Sequence, residues 1–260
     1  KKKQNQKKIV EKINNGSVDI VIGTHRLIQK DIKFKNLGLL IIDEEHKFGV
    51  SHKEFLSKFY KNIDILSLSA TPIPRTLQMS LSGIRDMSTI ETPPNERLPI
   101  KTFVSEKKNS IISEAILREK DRGGQVFFLH NRVSDIEIIY KNLVKILPDI
   151  SICIAHGQMD EKRLEKIMQD FGDKKFDVLL CTTIIESGID FPNVNTLIID
   201  ESDKFGLSQL YQIRGRIGRG NVQGYAYLLV EKNKPISEIS QKRLDTILSA
   251  NELGSGYQIA

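Results

Sequence analysis

This sequence of 260 residues lacks any long apolar run. A membrane-spanning helix needs about 18 or more consecutive apolar residues, and a secretory signal needs an apolar stretch behind its basic start. The Lys-rich residues 1–8 are followed by no such stretch. We therefore expect an intracellular, cytoplasmic protein that has no membrane partner.

Cysteine is scarce as well. Only Cys153 and Cys181 occur, each inside an apolar, strand-like run in which a cysteine behaves as a small buried side chain. The five histidines show none of the spacings that are typical of zinc sites. We expect neither disulfide bonds nor a structural metal, so the core has to come from the 39% of residues that are apolar.

Positive charge is in excess. The formal net charge is +6, which favours a polyanionic partner such as nucleic acid, because clustered Lys and Arg attract phosphates. This signal is weak by itself. The Lys-rich start is interpreted as the solvated face of a helix rather than a binding arm, since Lys and Glu are mixed in residues 8–12.

Short apolar runs recur along the chain, and each is followed by a turn and a helix-like stretch. Strands that are buried on both faces of a parallel sheet give this pattern, so the sequence predicts an α/β protein. The predicted strands are residues 19–22, 39–42, 65–68, 125–129, 150–155, 177–181, 196–199 and 225–230, and the predicted helices are 51–60, 74–81, 109–121, 133–147, 160–171 and 241–248.

A segment with three prolines, residues 91–99, separates two such series of strands and helices. Proline disrupts both helices and sheets, which makes this segment the predicted domain boundary. We assign residues 1–97 to a first domain, 98–232 to a second, and 233–260 to a polar extension.

An acidic cluster, DEEH, follows the apolar run at 39–42. In a parallel sheet this position is the carboxyl edge, where α/β proteins bind their ligands. Asp43 is the candidate ligand of Mg²⁺, and Glu44 is the candidate base that orients and deprotonates a water attacking a γ-phosphate. A strand end capped by solvated acids is the alternative, and it would be preferred for an isolated Asp-Glu pair.

Two further segments favour the catalytic interpretation. The next strand ends in Ser69-Ala70-Thr71, whose hydroxyls can hydrogen-bond the acids and respond when the γ-phosphate leaves. Residues 209–220 combine three arginines with glycines, so that Arg216 and Arg219 can approach phosphate closely as arginine fingers. A plain nucleic-acid-binding patch is the alternative for this stretch.

Polar residues at other predicted strand ends are candidates for binding a nucleic-acid backbone. Ordinary βα loops are the alternative for each of them, and their shared position at the carboxyl ends of strands favours phosphate binding. Asp190 is placed instead to bind the sugar of a nucleotide. The backbone candidates are Thr24, Arg26, His130, Asn131, Gly157, Thr182 and Thr183.

Taken in order, the segments GTHR, DEEH, SAT, GGQVFFLHN, HGQM, TTIIESGID and QIRGRIGRG resemble the motifs of superfamily 2 helicases. Over nearly the whole chain the sequence more closely resembles the transcription-repair-coupling factor family, with the RecG branch-migration helicases as near relatives. RecG-like proteins usually have DEQH where this chain has Glu45, and a TTVIEVGVD pattern where it has Ile184 and Ser187.

The resemblance implies two RecA-like lobes, the first of them incomplete, followed by a short helical extension. It implies a motor fragment of an ATP-dependent translocase on double-stranded DNA that displaces stalled RNA polymerase and recruits excision repair, with ATP and Mg²⁺ as cofactors, in the bacterial cytoplasm. RNA polymerase and an excision-repair protein would be bound by regions outside this chain. The residues implied to contact ATP are Glu45, His46, Gly188, Asp190 and Gln212.

One departure from the family pattern concerns the phosphate-binding loop. No GxxxxGK[ST] motif and no Gly-Lys pair occurs. We interpret this as truncation, because the sequence starts within a helical pattern without Met, and we expect that the chain alone does not hydrolyse ATP. Two alternatives stay open: a RecG-like fork-reversal helicase, and a non-catalytic nucleic-acid-binding protein without a phosphate loop.

Overall fold

The computed structural model describes residues 2–44, 63–69, 86, 88, 90, 98–186, 190–232 and 235–249. The chain divides into two compact units, Lys1–Ile73 and Pro74–Ala260. Each unit contains a parallel sheet of its own. No helix in the described part of the chain is long and apolar enough to cross a membrane.

Two strands of the first unit pair in parallel, as predicted. Asp43 lies opposite Leu68 in this pair, so that the two strands end at the same edge. The elements of the unit are helix α1 (Lys2–Asn14), a short 3₁₀ helix (His25–Ile28), strand β1 (Leu39–Asp43) and strand β2 (Asp64–Leu68).

The strand predicted at 19–22 is wrong. These residues form no strand, and the side chains of Ile20 and Ile22 are 81% and 93% exposed. The apolar run suggested burial, but an isolated extended segment gains no ladder hydrogen bonds and buries no face. The Asn14 side chain at the end of α1 instead accepts a hydrogen bond from the N–H of Lys33 at 2.8 Å, which ties the following loop to the helix.

The second unit is a parallel sheet flanked by helices. Its strands are β3 (Lys101–Glu106), β4 (Gln125–Leu129), β5 (Ile152–Ala155), β6 (Val178–Cys181), β7 (Val194–Ile199) and β8 (Tyr225–Val230). Its helices are α2 (Asn109–Asp121), α3 (Ile136–Ile146), α4 (Glu161–Gly172), α5 (Leu207–Arg214) and α6 (Glu238–Ser249). The strand order is β3-β8-β7-β4-β6-β5, and each pairing is parallel. The carboxyl ends of these strands therefore lie at one edge of the sheet.

Both faces of this sheet are buried. On β4, Phe127 faces one layer of the core and Phe128 the other, because successive side chains of a strand point to opposite faces. Phe127, Phe171 and Phe191 form an aromatic cluster with ring centroids 5.2–5.9 Å apart. Burial of each ring contributes roughly 1.5–3 kcal/mol, so this cluster holds α4 firmly against the sheet.

Most predicted elements of the second unit are confirmed, with ends shifted by a few residues. Two elements escape the sequence prediction. Strand β3 carries polar residues at four of its six positions because it lies at the edge of the sheet, and helix α5 is only eight residues long. The helices predicted at 51–60 and 74–81 lie outside the described residues.

Both cysteines are buried, as predicted, and both are free. Burial raises the pKa of the Cys153 thiol to about 12, and it raises the pKa of the Cys181 thiol as well. A thiol with such a pKa stays protonated at physiological pH and is a poor nucleophile. The two side chains therefore act as small apolar groups of the core.

A buried carboxylate joins α2 to the amino-terminal edge of the sheet. Glu119 is fully buried and accepts hydrogen bonds from Thr196 Oγ1 at 2.5 Å and from Arg122 Nε at 3.0 Å. Arg122 Nη2 and, at 3.3 Å, Asn195 Nδ2 donate two further hydrogen bonds to it. Gly124 leaves room for this side chain, because a Cβ at that position would lie 1.7 Å from Glu119 Oε1. The end of α2 and the start of β7 are thus held together through one side chain.

Removal of this carboxylate should destabilise the second unit. We expect Glu119→Ala to lower the free energy of unfolding by about 2–4 kcal/mol, because the buried hydroxyl of Thr196 loses its acceptor and Arg122 loses its ion-pair partner. Urea denaturation followed by circular dichroism measures the change. Glu114→Ala is the matched control, since Glu114 is an exposed carboxylate on the same helix. A loss of similar size in the control would contradict the assignment.

Candidate functional site

The acid pair of the first unit lies at the carboxyl edge of its sheet. Asp43 is the last residue of β1 and is exposed. Glu44 has a left-handed backbone with a φ of 52°, and its N–H donates to Leu68 O at 2.9 Å. Such a backbone is uncommon for a residue with a Cβ and often occurs at functional sites. Ser69 directly follows Leu68, the last residue of β2, and therefore lies at the same edge of the sheet as the acid pair.

The carboxylate of Asp43 suits a hard cation that brings further ligands with it. Mg²⁺ prefers oxygen, keeps several waters, and commonly takes one or two protein carboxylates together with phosphate oxygens. Asp43 offers an exposed carboxylate of this kind. Among the described residues, no group of three or more His, Cys, Asp or Glu side chains is placed to hold a metal ion. The geometry thus fits an Mg²⁺ ion that arrives with a nucleotide.

Thr24 and Arg26 lie in the segment between α1 and β1. Thr24 is exposed, and its side chain makes no capping hydrogen bond to the 3₁₀ helix that follows. Arg26 forms a bidentate ion pair with Asp31, with Nη1–Oδ1 at 2.7 Å and Nη2–Oδ2 at 2.5 Å. Its hydrogen bond to Asp31 lowers the pKa of that carboxyl. The pair with Asp31 uses two of the five N–H donors of Arg26, so a phosphate would either bind the remaining donors or displace Asp31.

The arginine-rich segment begins in α5 and ends in a glycine turn. Gly218 has a φ of +60°, which favours glycine, and a Cβ there would lie 3.5 Å from the Cα of Gly224. Arg216 and Gln212 are partly buried, whereas the guanidinium of Arg219 is accessible. The turn thus presents at least one arginine to a ligand.

Arg219 and Asp190 form an ion pair in the second unit. Arg219 Nη1 lies 2.9 Å from Asp190 Oδ1, and the two side chains are 32% and 60% exposed. The sequence predicts a phosphate contact for the arginine and a sugar contact for the acid, and the structure brings the two side chains together. Because the pair is accessible, a nucleotide can compete for both partners.

Three of the loops that are predicted to bind DNA lie side by side. They follow β4, β6 and β5, which are neighbours in the sheet. Asn131 and Gly157 are exposed, Thr183 is partly buried, and Thr182 is buried. A Cβ at Gly157 would meet Ile184 Cγ2 at an ordinary distance of 3.9 Å, so the fold itself does not require glycine there. A ligand can come closer to the backbone where there is no Cβ, which is a separate reason for a glycine at position 157.

Buried charges meet at the same edge of the sheet. Asp200 follows β7 and is 1% exposed, and its Oδ2 accepts hydrogen bonds from Lys107 Nζ at 2.7 Å and His130 Nδ1 at 2.9 Å. His130 follows β4 and is 2% exposed, with its Nε2 3.3 Å from Asp135 Oδ2. The ring of His130, a predicted DNA contact, is therefore almost withdrawn from solvent.

These contacts extend to the surface of the protein. Arg132 Nη2 lies 2.9 Å from Asp135 Oδ2 and 3.1 Å from Glu201 Oε2. Lys204 Nζ lies 2.5 Å from Glu201 Oε1. We call this set of connected charges the edge cluster, and its members are Lys107, His130, Arg132, Asp135, Asp200, Glu201 and Lys204.

Opposite charges set the pKa values within the edge cluster. Burial acts to lower the pKa of His130, but the hydrogen bond to Asp200 and the charges of Asp200 and Asp135 outweigh it, so that this pKa lies above its ordinary value. Burial acts to raise the pKa of Asp200, and His130 and Lys107 outweigh that effect and lower it. The ring of His130 therefore stays protonated to a higher pH than an ordinary histidine.

The sequence prediction missed Asp200 and Glu201. A signal for them was present, because the pentapeptide LIIDE occurs at residues 40–44 and again at 197–201. The final Glu is left-handed in both copies, with a φ of 52° at Glu44 and 50° at Glu201. The two units thus repeat one strand ending in sequence and in backbone conformation. The predicted site residues Glu45, His46, Ala70, Thr71 and Gly188 lie outside the described residues.

Two family models match the chain. The model of DEAD/DEAH box helicases matches residues 1–80, and that of the helicase conserved C-terminal domain matches residues 107–221. The chain is 54% identical over 250 residues to the transcription-repair-coupling factor of Staphylococcus epidermidis, and 52% identical over 255 residues to that of Escherichia coli. These matches cover 96% and 98% of this chain but 21% and 22% of the relatives. The resemblance inferred from the motifs is confirmed, and the chain spans about a fifth of these relatives.

Solved structures have the same fold. The structure of RecG bound to a three-way DNA junction matches with a TM-score of 0.73 and 35% identity, over 99% of this chain and 34% of that one. Saccharomyces cerevisiae Dbp5 bound to RNA and ADP BeF3 matches with a TM-score of 0.64 and 17% identity, over 86% and 60% of the two chains, and this likeness concerns the fold alone. The predicted fold class, α/β with two RecA-like units, is confirmed.

The Arg219–Asp190 pair should contribute little to stability. We expect Asp190→Asn to change the free energy of unfolding by less than about 1 kcal/mol, because exposed ion pairs are weakened by water and salt. The same substitution at the buried Asp200 should cost about 2–4 kcal/mol. Parallel urea titrations of the two variants measure the difference. Equal losses would show that the Arg219–Asp190 pair serves the fold rather than a ligand.

Proposed function

Because the chain belongs to the helicases and is homologous to one segment of the transcription-repair-coupling factors, we propose that it is part of an ATP-driven motor that moves along double-stranded DNA. Residues 1–97 would form the carboxyl-terminal part of the first lobe, 98–232 the second lobe, and 233–260 the start of an extension. The observation that carries the proposal is the convergence of motif residues at the carboxyl edges of two parallel sheets.

The first unit supplies the base and the metal ligand in this proposal. Mg²⁺ held by Asp43 and the phosphates would neutralise charge that develops at the γ-phosphate. Glu44 orients the attacking water and accepts its proton. Glu45 and His46 contact the nucleotide beside these acids. Ser69-Ala70-Thr71 would change conformation when the γ-phosphate leaves, and this change would alter the DNA-binding loops.

The second unit supplies the arginine fingers. Arg216 and Arg219 would stabilise the negative charge that develops on the phosphates, since a guanidinium binds phosphate oxygens in a bidentate manner. Gly188, Asp190 and Gln212 would contact the rest of the nucleotide. The exposed ion pair of Arg219 with Asp190 supports this assignment, because a single nucleotide offers each of them a better partner.

Loops at the carboxyl edges would bind the DNA backbone. Such contacts to phosphates hold a duplex without reading its sequence, as a translocase requires. The exposed Thr24 and Asn131 and the open space at Gly157 support this role. The proposed DNA-binding residues are Thr24, Arg26, Asn131, Gly157, Thr182 and Thr183, and His130, whose ring is buried, would act through the loop that follows it rather than by direct contact.

The full-length protein would act in the bacterial cytoplasm, where it displaces stalled RNA polymerase and recruits an excision-repair protein. The identity of 54% to a transcription-repair-coupling factor, against 35% to RecG, supports this role over fork reversal. A non-catalytic nucleic-acid-binding role is the second candidate, and the lack of a GxxxxGK[ST] motif in this sequence favours it. We propose that ATP hydrolysis requires parts of the full-length protein beyond this chain.

Glu44→Gln in the full-length protein should abolish DNA-stimulated ATP hydrolysis. An amide cannot accept the proton of the attacking water, and loss of a general base lowers the rate about 10²- to 10⁴-fold. The measurement is phosphate release with and without duplex DNA. Asp64→Asn is the control, because it makes a carboxylate-to-amide change at the opposite end of the same sheet. A wild-type protein without DNA-stimulated turnover would refute the motor and favour the non-catalytic role.

Arg219→Ala should lower turnover and leave duplex binding intact. An arginine finger acts on the transition state, and its loss lowers kcat about 10³- to 10⁵-fold. Phosphate release and the fluorescence anisotropy of a labelled duplex separate the two effects. Arg163→Ala, which removes an exposed arginine from α4, is the control. If turnover were normal in the Arg219 variant, the finger assignment would be wrong.

A further inference from the structure

The net charge of the edge cluster depends on one histidine. Its three carboxylates face three side chains that remain positive at physiological pH, and these six charges cancel. The cluster is therefore neutral when the His130 ring is neutral, and it carries one positive charge when the ring is protonated. The carboxylates belong to Asp135, Asp200 and Glu201, and the permanent cations to Lys107, Arg132 and Lys204.

The geometry couples this charge to the loop that follows β4. The His130 ring lies between two carboxylates, with Nδ1 2.9 Å from Asp200 and Nε2 3.3 Å from Asp135. The Nδ1 contact is a hydrogen bond, whereas Nε2 makes none in this geometry and attracts the Asp135 carboxylate through charge when the ring is protonated. Asp135 ends the loop and also pairs with Arg132 inside it. Loss of the proton therefore weakens one of the two attachments of this loop.

We propose that His130 is a positioning residue for DNA binding. Its protonated ring holds residues 131–135 in place and gives the DNA-facing edge an excess positive charge, so that the affinity for a DNA backbone falls when the ring loses its proton. This inference rests on the proposed function, because it takes the loop after β4 to face DNA. Because the His130 ring is buried, it would act on the DNA phosphates through its charge and through the loop that it holds, without direct contact.

The direction of the pH dependence follows from the charges around the ring. The pKa of His130 is raised, so its contribution is complete below the ordinary value near 6.5 and is lost as the pH rises through the raised pKa. By linkage, a phosphate backbone that favours the protonated ring raises the pKa further. If DNA binding raises the pKa of His130 by about 0.5 to 1, the affinity for DNA is about three- to tenfold higher with the protonated ring than with the neutral ring.

Fluorescence anisotropy of a labelled DNA duplex with the full-length protein tests this inference between pH 6 and 9 at constant ionic strength. We expect the wild-type protein to lose about three- to tenfold in affinity as the pH rises. His130→Asn can still donate to Asp200 from near the position of Nδ1 but carries no charge. This variant should bind weakly throughout and show no such step.

The control is Lys175→Gln, which removes an exposed charge at the amino-terminal end of β6 and should keep the step. Other ionisable groups at the carboxyl edge, such as His156 and Glu231, are present in each protein and cancel in the comparison. A step of the same size in His130→Asn would overturn the proposal. So would wild-type affinity of that variant at pH 6, because a hydrogen bond without charge would then suffice.

Two further variants keep the test decisive if His130→Asn does not fold. Asp135→Asn removes a carboxylate that favours the protonated ring, so the midpoint of the step should move to lower pH. Lys107→Met removes a cation that shares Asp200 with the ring, so the midpoint should move to higher pH. Midpoints that do not move apart would also overturn the proposal.

The binding measurement distinguishes an error in the role of His130 from an error in the proposed function. A wild-type protein that binds the duplex tightly at each pH without a step overturns the role of His130 and leaves the proposed function standing. A wild-type protein that does not bind the duplex at any pH overturns both. An NMR titration of the histidine rings in this chain, compared with His130→Asn, should place the pKa of His130 above 6.5 without DNA.

Discussion

Parallel pairing of the strands decides where chemistry can occur in this molecule. Each described strand runs in the same direction as its neighbours, so residues that are far apart in the sequence meet where the strands end. Asp43 and Ser69 meet in this way in the first unit, and the ends of β4, β6 and β7 meet in the second. At the opposite edge of the second sheet, the buried carboxylate of Glu119 joins the end of α2 to the start of β7 and so serves the fold.

Charges that are buried at the ligand edge have to be compensated inside the protein. An isolated carboxylate in a medium of low dielectric constant is very costly, and Asp200 is stable because Lys107 and His130 both contact it. The arginines of the glycine-rich segment 209–220 also differ in burial. Arg214 is buried and donates to Ile247 O at 2.9 Å, which joins α5 to α6, whereas Arg219 stays accessible. Neighbouring residues of one motif therefore differ in role because they differ in burial.

The sequence predicts the buried parts of the fold well and its edges poorly. Continuous apolar runs such as 125–129 identify central strands, since both of their faces are covered. Strand β3 is polar at four of its six positions because one of its sides has no neighbouring strand, and the apolar residues 20–22 pair with no strand among the described residues. The motif residues were predictable because their types and order carry chemistry. The repeat of LIIDE marks Asp200 as an acid at a strand end, but its ion pairs were not predictable, because Lys107 and His130 lie 93 and 70 positions away in the sequence.

The pentapeptide LIIDE gives the two units the same strand ending, but the acids meet different surroundings. Asp43 is exposed at the end of its strand, whereas Asp200 is sealed by the ammonium group of Lys107 and the imidazole of His130. One copy is open to a cation from outside, and the other already holds its counter-ions. Among the described residues, the two strand endings therefore share a backbone conformation but differ in access, because the carboxylate of Asp43 is open to a cation from solvent and that of Asp200 is not.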